Sequence, residues 1–346
     1  MKKYILQTSI VALAVSTAVA SAQELNVLTW EGYADDSFVA EFTQSTGCKV
    51  NATYVGSNDD FAPKLAAGGG VYDLIIPSID TTQLMIDAGF VEPIDTSKIA
   101  EWNNIYPKFL AQEGIQENGE YYGMPYAWGS IPFMYRTDKF ETPPTSLKAL
   151  FSEDLAGRIS LWDDKSALYV AARLAGNMDI YNLSDADLEA AKAKLIEQKP
   201  LVRKYWATAG ELVDLYAGGE VWISNTWGGY QSGLLADQGI EVTEFIPEEG
   251  AEGWMDAWMI VKGSPNLECG YKFLNMQISA QGQCGVANVN GYSATNPVAA
   301  KACMSEEQFT ALHQDDPDYL DSLLLWQPLR ERLEAYTNTW NAVKAE

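Results

Sequence analysis

From Leu25 onward, short apolar runs alternate with stretches of helical period. Leu25-Asn26-Val27-Leu28-Thr29-Trp30 reads as a strand, and residues 36–46 as a helix stopped by Gly47. Residues 49–54 form a second strand and residues 59–67 a second helix, ended by Gly68-Gly69-Gly70. Tyr72-Asp73-Leu74-Ile75-Ile76-Pro77 is nearly all apolar, as a strand buried on both faces requires, and residues 81–88 follow as a helix. This β-α-β-α-β-α rhythm predicts an open, mostly parallel sheet flanked by helices, with ligands bound outside the carboxyl ends of its strands. Trp30, Tyr33, Ser78 and Asp80 all sit at those ends.

The second half repeats the theme with more aromatic content. Residues 121–129 form an aromatic strand, and residues 131–136 continue it into a second lobe. There a strand at 158–162 ends at Asp163-Asp164 and leads into a helix over 166–175. Ser184 caps a long amphipathic helix that Lys199-Pro200 terminates, and further strands are predicted at 221–225 and 240–246. Glu252-Gly253-Trp254-Met255-Asp256-Ala257-Trp258-Met259-Ile260-Val261 then returns as a strand. Its alternation places Trp254, Asp256 and Trp258 on one face. An indole beside a carboxylate suits an organic cation: the ring offers its negative π face and the carboxylate neutralises the charge. The pattern as a whole predicts a two-lobed α/β protein. Residues 23–130 with 254–298 form the first lobe, and residues 131–253 with 299–346 the second.

Residues 1–22 read as a signal peptide. Lys2-Lys3 precede an apolar run that ends in Ala20-Ser21-Ala22, too short to span a bilayer comfortably. The chain is therefore expected in the periplasm. Its formal charge of −24 argues against nucleic acid and anionic membranes as partners and favours cationic ligands. Four cysteines in an exported chain predict disulfides with three possible pairings. Cys269 and Cys303 flank the helical stretch 272–278 and are the pair expected here.

Little in the chain suggests catalysis. His313 is the one histidine and lies in a polar stretch. The cysteines lack metal-ligand spacing, and no nucleotide-binding glycine motif is present, so neither a metal nor a cofactor is expected. A secreted hydrolase would have to use an aspartate pair such as Asp163-Asp164 or Asp59-Asp60.

These residues occur in an order that resembles the periplasmic spermidine/putrescine-binding proteins of ABC transporters. The markers are Leu28-Thr29-Trp30-Glu31-Gly32-Tyr33, Tyr72-Asp73-Leu74-Ile75-Ile76-Pro77-Ser78, Tyr126-Ala127-Trp128-Gly129, Asp163-Asp164, Trp227, Trp254-Met255-Asp256, Gly291-Tyr292 and Trp326-Gln327. The resemblance covers essentially all of Leu25 to Lys344. It implies two lobes closing on a small amine, a permease in the inner membrane as partner, and a monomer. Carried over, Trp30, Tyr33, Trp227, Trp254 and Tyr292 would be aromatic walls. Asp256 and Asp164 would take ammonium hydrogen bonds, while Ser78 and Gln327 would add neutral contacts. The chain departs from the family at Ala167, where an acid is expected, and at Asp80, which replaces an aromatic residue. Its acid before the first tyrosine stands at Glu31. The loss at Ala167 opens the alternative of a zwitterionic ω-amino acid or aminosulfonate, whose acid end would need Arg203. A sugar is a third possible cargo, since tryptophans stack on sugars as well.

Overall fold

The computed structural model describes residues 23–68 and 71–346, so the signal peptide and part of the glycine run lie outside the described residues. Two sheets carry the fold. In the first, Gln23–Thr29 pairs in parallel with Cys48–Tyr54 at one edge and with Leu74–Ile75 on its other side. Glu252–Val261 follows, antiparallel to both Leu74–Ile75 and Gly123–Ile131, and Ser293–Ala294 forms the edge. The second sheet runs in the order Val202–Trp206, Ile159–Trp162, Ile223–Asn225, Phe133–Arg136, Val242–Phe245. Its first three strands are parallel and its last two pairings antiparallel. Both sheets are thus mixed, where the repeating pattern suggested mostly parallel ones.

The reason lies in the crossings. Strands with carboxyl ends at the cleft must leave through it, and a chain returning from the other sheet enters there and runs the opposite way. Gly123–Ile131 leaves across Pro132, which has no N–H for a ladder, and becomes Phe133–Arg136 of the second sheet. Glu252–Val261 is the return, and every one of its residues is buried. Near the carboxyl terminus, Leu324–Leu325 pairs in parallel with the start of that return strand, a third connection at the same place.

The return strand is anchored by a buried ion pair. Arg173 Nη2 donates to Glu252 Oε1 at 2.7 Å, and Trp326 Nε1 donates to Glu252 Oε2 at 3.2 Å. Glu252 therefore ties the Ala167–Leu174 helix to the strand and to the carboxyl-terminal segment. On the outer face, the predicted cap at Ser184 is a full capping box. Asp187 N–H donates to Ser184 Oγ at 3.2 Å and Ser184 N–H donates to the Asp187 carboxylate at 3.0 Å.

The expected Cys269–Cys303 bridge does not form. The bonds are Cys48–Cys269 and Cys284–Cys303. Cys269 lies early in the Leu267–Ile278 helix, which packs across the first sheet where Cys48 begins its strand. Cys303 instead follows the Pro297–Ala300 turn, which folds back on the Ala280–Asn290 helix. In the chain-entropy picture the bridge of separation 221 contributes roughly 5 kcal/mol and that of separation 19 roughly 3 kcal/mol. The second bridge also fixes where the segment around it packs. Ala300, Met304, Phe309 and Leu312 pack on Ala287 and Ala294, beside the first sheet. The terminal Leu333–Ala345 helix packs on Asp185–Gln198.

Candidate ligand-binding site

An aromatic cage closes over Asp256 where the two sheets face each other. Its walls are Trp30, Tyr33, Ser78, Ile131, Trp162, Trp227, Trp254, Asp256, Tyr292 and Trp326, around a cavity of about 30 Å³. None of these residues is more than 6% exposed, so the site is shut off from solvent. Each wall is delivered by the end of an element. Trp30 and Tyr33 follow Gln23–Thr29, and Ser78 follows Leu74–Ile75, with its N–H donating to Asn58 Oδ1 at 3.0 Å. Trp254 and Asp256 come from the return strand. Gly129 makes room for Trp254, since a Cβ there would meet the indole Cζ2 at 2.9 Å. Tyr292 is aimed inward by Gly291, whose φ of 67° ends the preceding helix in the left-handed conformation.

The rings meet edge to face. Trp30 and Trp227 lie 5.6 Å apart, Trp254 and Tyr292 4.7 Å, and Trp162 stacks on Trp326 at 6.1 Å. The indole N–H groups of Trp30 and Trp227 are buried without an acceptor among the described residues. Asp256 is the cage's single carboxylate. Tyr33 Oη donates to its Oδ2 and Ser78 Oγ to its Oδ1, both at 2.5 Å. Burial pushes its pKa up to about 7 in spite of these two bonds. No lysine or arginine among the described residues pairs with it. Two hydroxyls orient the carboxylate, and a cation entering the cage would supply the missing charge.

A second acidic centre adjoins the cage. Lys165 is buried, and its Nζ lies 2.9 Å from Asp59 Oδ1, 3.9 Å from Asp164 Oδ2 and 4.0 Å from Asp80 Oδ2. Asp164 also accepts from Ser57 Oγ at 2.7 Å and from Ser166 N–H at 2.8 Å. Burial raises the Asp80 pKa to about 7 although Lys165 opposes the shift, and the three carboxylates hold the Lys165 ammonium above its ordinary value. The cluster bridges the two halves of the molecule, because Ser57, Asp59 and Asp80 follow first-sheet strands and Asp164 and Lys165 follow Ile159–Trp162.

Residues 37–318 match the family described as bacterial extracellular solute-binding protein. The chain belongs to that family. Among relatives of this solute-binding protein, the putrescine-binding periplasmic protein PotF of Escherichia coli is 25% identical over 324 residues, covering 86% of this chain and 85% of PotF. The spermidine/putrescine-binding periplasmic protein of the same organism is 29% identical over 304 residues, covering 86% and 85%. A solved structure described as a putative spermidine/putrescine ABC transporter from Listeria monocytogenes superposes with a TM-score of 0.82 at 24% identity, covering 93% of this chain and 99% of that one. That likeness is one of fold.

Within this solute-binding fold, the residues singled out in the sequence divide into three groups. Trp30, Tyr33, Ser78, Trp227, Trp254, Asp256 and Tyr292 all line the cage. Asp80 and Asp164 lie beside it, in the Lys165 cluster. The remainder lie elsewhere. Glu31 is half-buried, and burial raises its pKa although the backbone N–H groups of Gly210 and Ala209, at the start of the Ala209–Ala217 helix, oppose the shift. Gln327 is exposed and not part of the cage wall, and Arg203 is half exposed and ion-paired with Glu220. Trp258 is not a cage wall. The bulge falls on the partner strand, where Tyr126 is the extra residue, so the alternation of the return strand is unbroken, and Trp258 lies farther along it, in the core against Phe273 and Tyr126. Asp163 and Asp164 point to different partners: Asp163 accepts from Trp340 Nε1 at 3.0 Å and Lys344 Nζ at 2.7 Å. They do not form the acid pair a hydrolase would need. Sequence reasoning missed Ile131, Trp162 and Trp326 as walls, and Lys165 altogether. The usable signal was position, because Trp162 and Lys165 stand at the carboxyl end of a strand, where ligands bind.

Proposed function

We propose that this solute-binding protein captures a polyamine or another small amine in the periplasm and delivers it, as a monomer, to an ABC permease in the inner membrane. The observation that carries the reading is Asp256, a buried carboxylate oriented by Tyr33 and Ser78 inside aromatic walls and lacking an internal cation. An ammonium group placed there gains the carboxylate and indole faces together, each cation–π contact worth about 0.5–2 kcal/mol. The names of the relatives support the same ligand class. Closure follows from geometry. Trp30 and Trp254 come from the first sheet and Trp162 and Trp227 from the second, so a ligand gains all four walls only when the halves are shut, and binding shifts the population to that state.

The test is calorimetric titration of the mature chain with alkylamines and neutral sugars, alongside Asp256→Asn. Amine binding at least thirtyfold weaker in the variant supports the reading. A change under threefold, or tight binding of an uncharged sugar, would place the ligand's contacts elsewhere.

A further inference from the structure

The acidic cluster beside the cage already contains a cation. Trp162, a cage wall, is followed within one turn by Asp164 and Lys165, and Ser78, another wall, is followed by Asp80. A diamine with one ammonium on Asp256 needs a second carboxylate within reach of its chain. Glu252 is held by Arg173, Glu31 lies at the start of the Ala209–Ala217 helix, and Glu244, near Tyr292, accepts from Gly229 N–H at 3.2 Å. The carboxylates that follow cage walls directly in the chain are Asp80 and Asp164, and with Asp59 they all face the Lys165 ammonium at 2.9–4.0 Å. A second ligand ammonium among them would meet a like charge in a buried setting, where repulsion is poorly screened. Nor can Lys165 serve as anchor for a ligand's acid end, because three carboxylates surround it and leave the cluster with excess negative charge. Ala167, buried and apolar, adds no further partner.

We infer that Lys165 sets the charge count of the ligand: its ammonium fills the acidic subsite adjoining the cage, so the protein takes an amine with one ammonium group and discriminates against diamines. This inference rests on the reading of Asp256 as the amine's partner. Lys165 is also a bond between the two halves, and a purely structural role would alter the affinity of every ligand alike. The ratio of two affinities separates the roles.

The experiment compares butylamine with putrescine, which share a four-carbon chain, by calorimetry on wild-type, Lys165→Met and Asp256→Asn proteins. Wild type is expected to bind butylamine at least tenfold more tightly than putrescine. Lys165→Met is expected to move that ratio at least tenfold toward putrescine by freeing Asp80 and Asp164. Should the single variant fail to fold, Lys165→Met/Asp80→Asn restores the charge balance and is expected to shift the ratio in the same direction. A wild-type preference for putrescine, or a ratio unmoved in the folded variant, would overturn the role of Lys165 while leaving the cage intact if Asp256→Asn still abolishes amine binding. Tighter binding of γ-aminobutyrate than of butylamine would make Lys165 an anion partner and overturn the inference. Butylamine binding indifferent to Asp256→Asn would overturn the cage reading and the inference together.

Discussion

The Asp256 cage and the Lys165 cluster are neighbours that bury carboxylates under opposite conditions. Asp256 has two hydroxyl donors and aromatic walls but no cation, whereas Asp80 and Asp164 share an internal ammonium. Glu252 gives a third case, a carboxylate fully matched by Arg173 and an indole N–H. Burial alone disfavours a charged carboxylate by several kcal/mol, so each site must offset that cost or lose its charge. Glu252 does so permanently and acts as structure. The Lys165 cluster does so in part. Asp256 has no internal cation to offset it, which is the basis for proposing it as the ligand's partner.

Removing a cation from the matched site should have the largest effect of all. Arg173→Met strands Glu252 in the core and is expected to destabilise the protein by about 3–5 kcal/mol, read from chemical denaturation. A loss below 1 kcal/mol would mean that Glu252 is not matched as described. By contrast, Asp256→Asn strands no internal charge. It is expected to leave the ligand-free protein as stable as wild type or more so while weakening amine binding.

Protons probe the same contrast with a smaller effect. Folding raises Asp256 and Asp80 from 3.8 to about 7, so both bind protons more tightly folded than unfolded. Their contribution makes the ligand-free protein most stable at the acid end of that window. Stability then declines as pH rises from about 4 and levels off above about 7. Amine affinity runs the other way because the cation needs ionised Asp256. It should rise about tenfold between pH 6 and pH 8, as the ionised fraction of a group with a pKa of about 7 does. A flat affinity profile would contradict the assignment of Asp256. The smallest effect expected is at the wall: Trp227→Leu should weaken amine binding severalfold, in line with one lost cation–π contact of about 0.5–2 kcal/mol. Unchanged affinity would remove Trp227 from the contact surface.

Much of this contrast could be read from the sequence, on one side only. Strand alternation put Trp254 beside Asp256, and the ends of apolar strands located Trp30, Tyr33 and Ser78, because those features depend on local periodicity. That Trp258 packs against Phe273 and Tyr126 instead of lining the cage depends on which elements cover each end of the strand, which local pattern does not contain. The antiparallel return strand and the Cys48–Cys269 bond likewise depend on how the chain passes between its two sheets. Lys165 escaped notice because two of its three partners come from positions 59 and 80, brought to it only when the halves meet. Arg203, chosen as a cation near an aromatic strand, has Glu220 as its partner for an equally nonlocal reason.

The most direct test of the central claim is a proton count. Butylamine binding is measured calorimetrically at pH 7 in two buffers of different ionisation heat. If Asp256 titrates near 7 when empty and is fully ionised against an ammonium, binding should release about half a proton per ligand. Asp256→Asn should abolish that release. Tight binding by the wild-type protein with no net proton release would contradict the account.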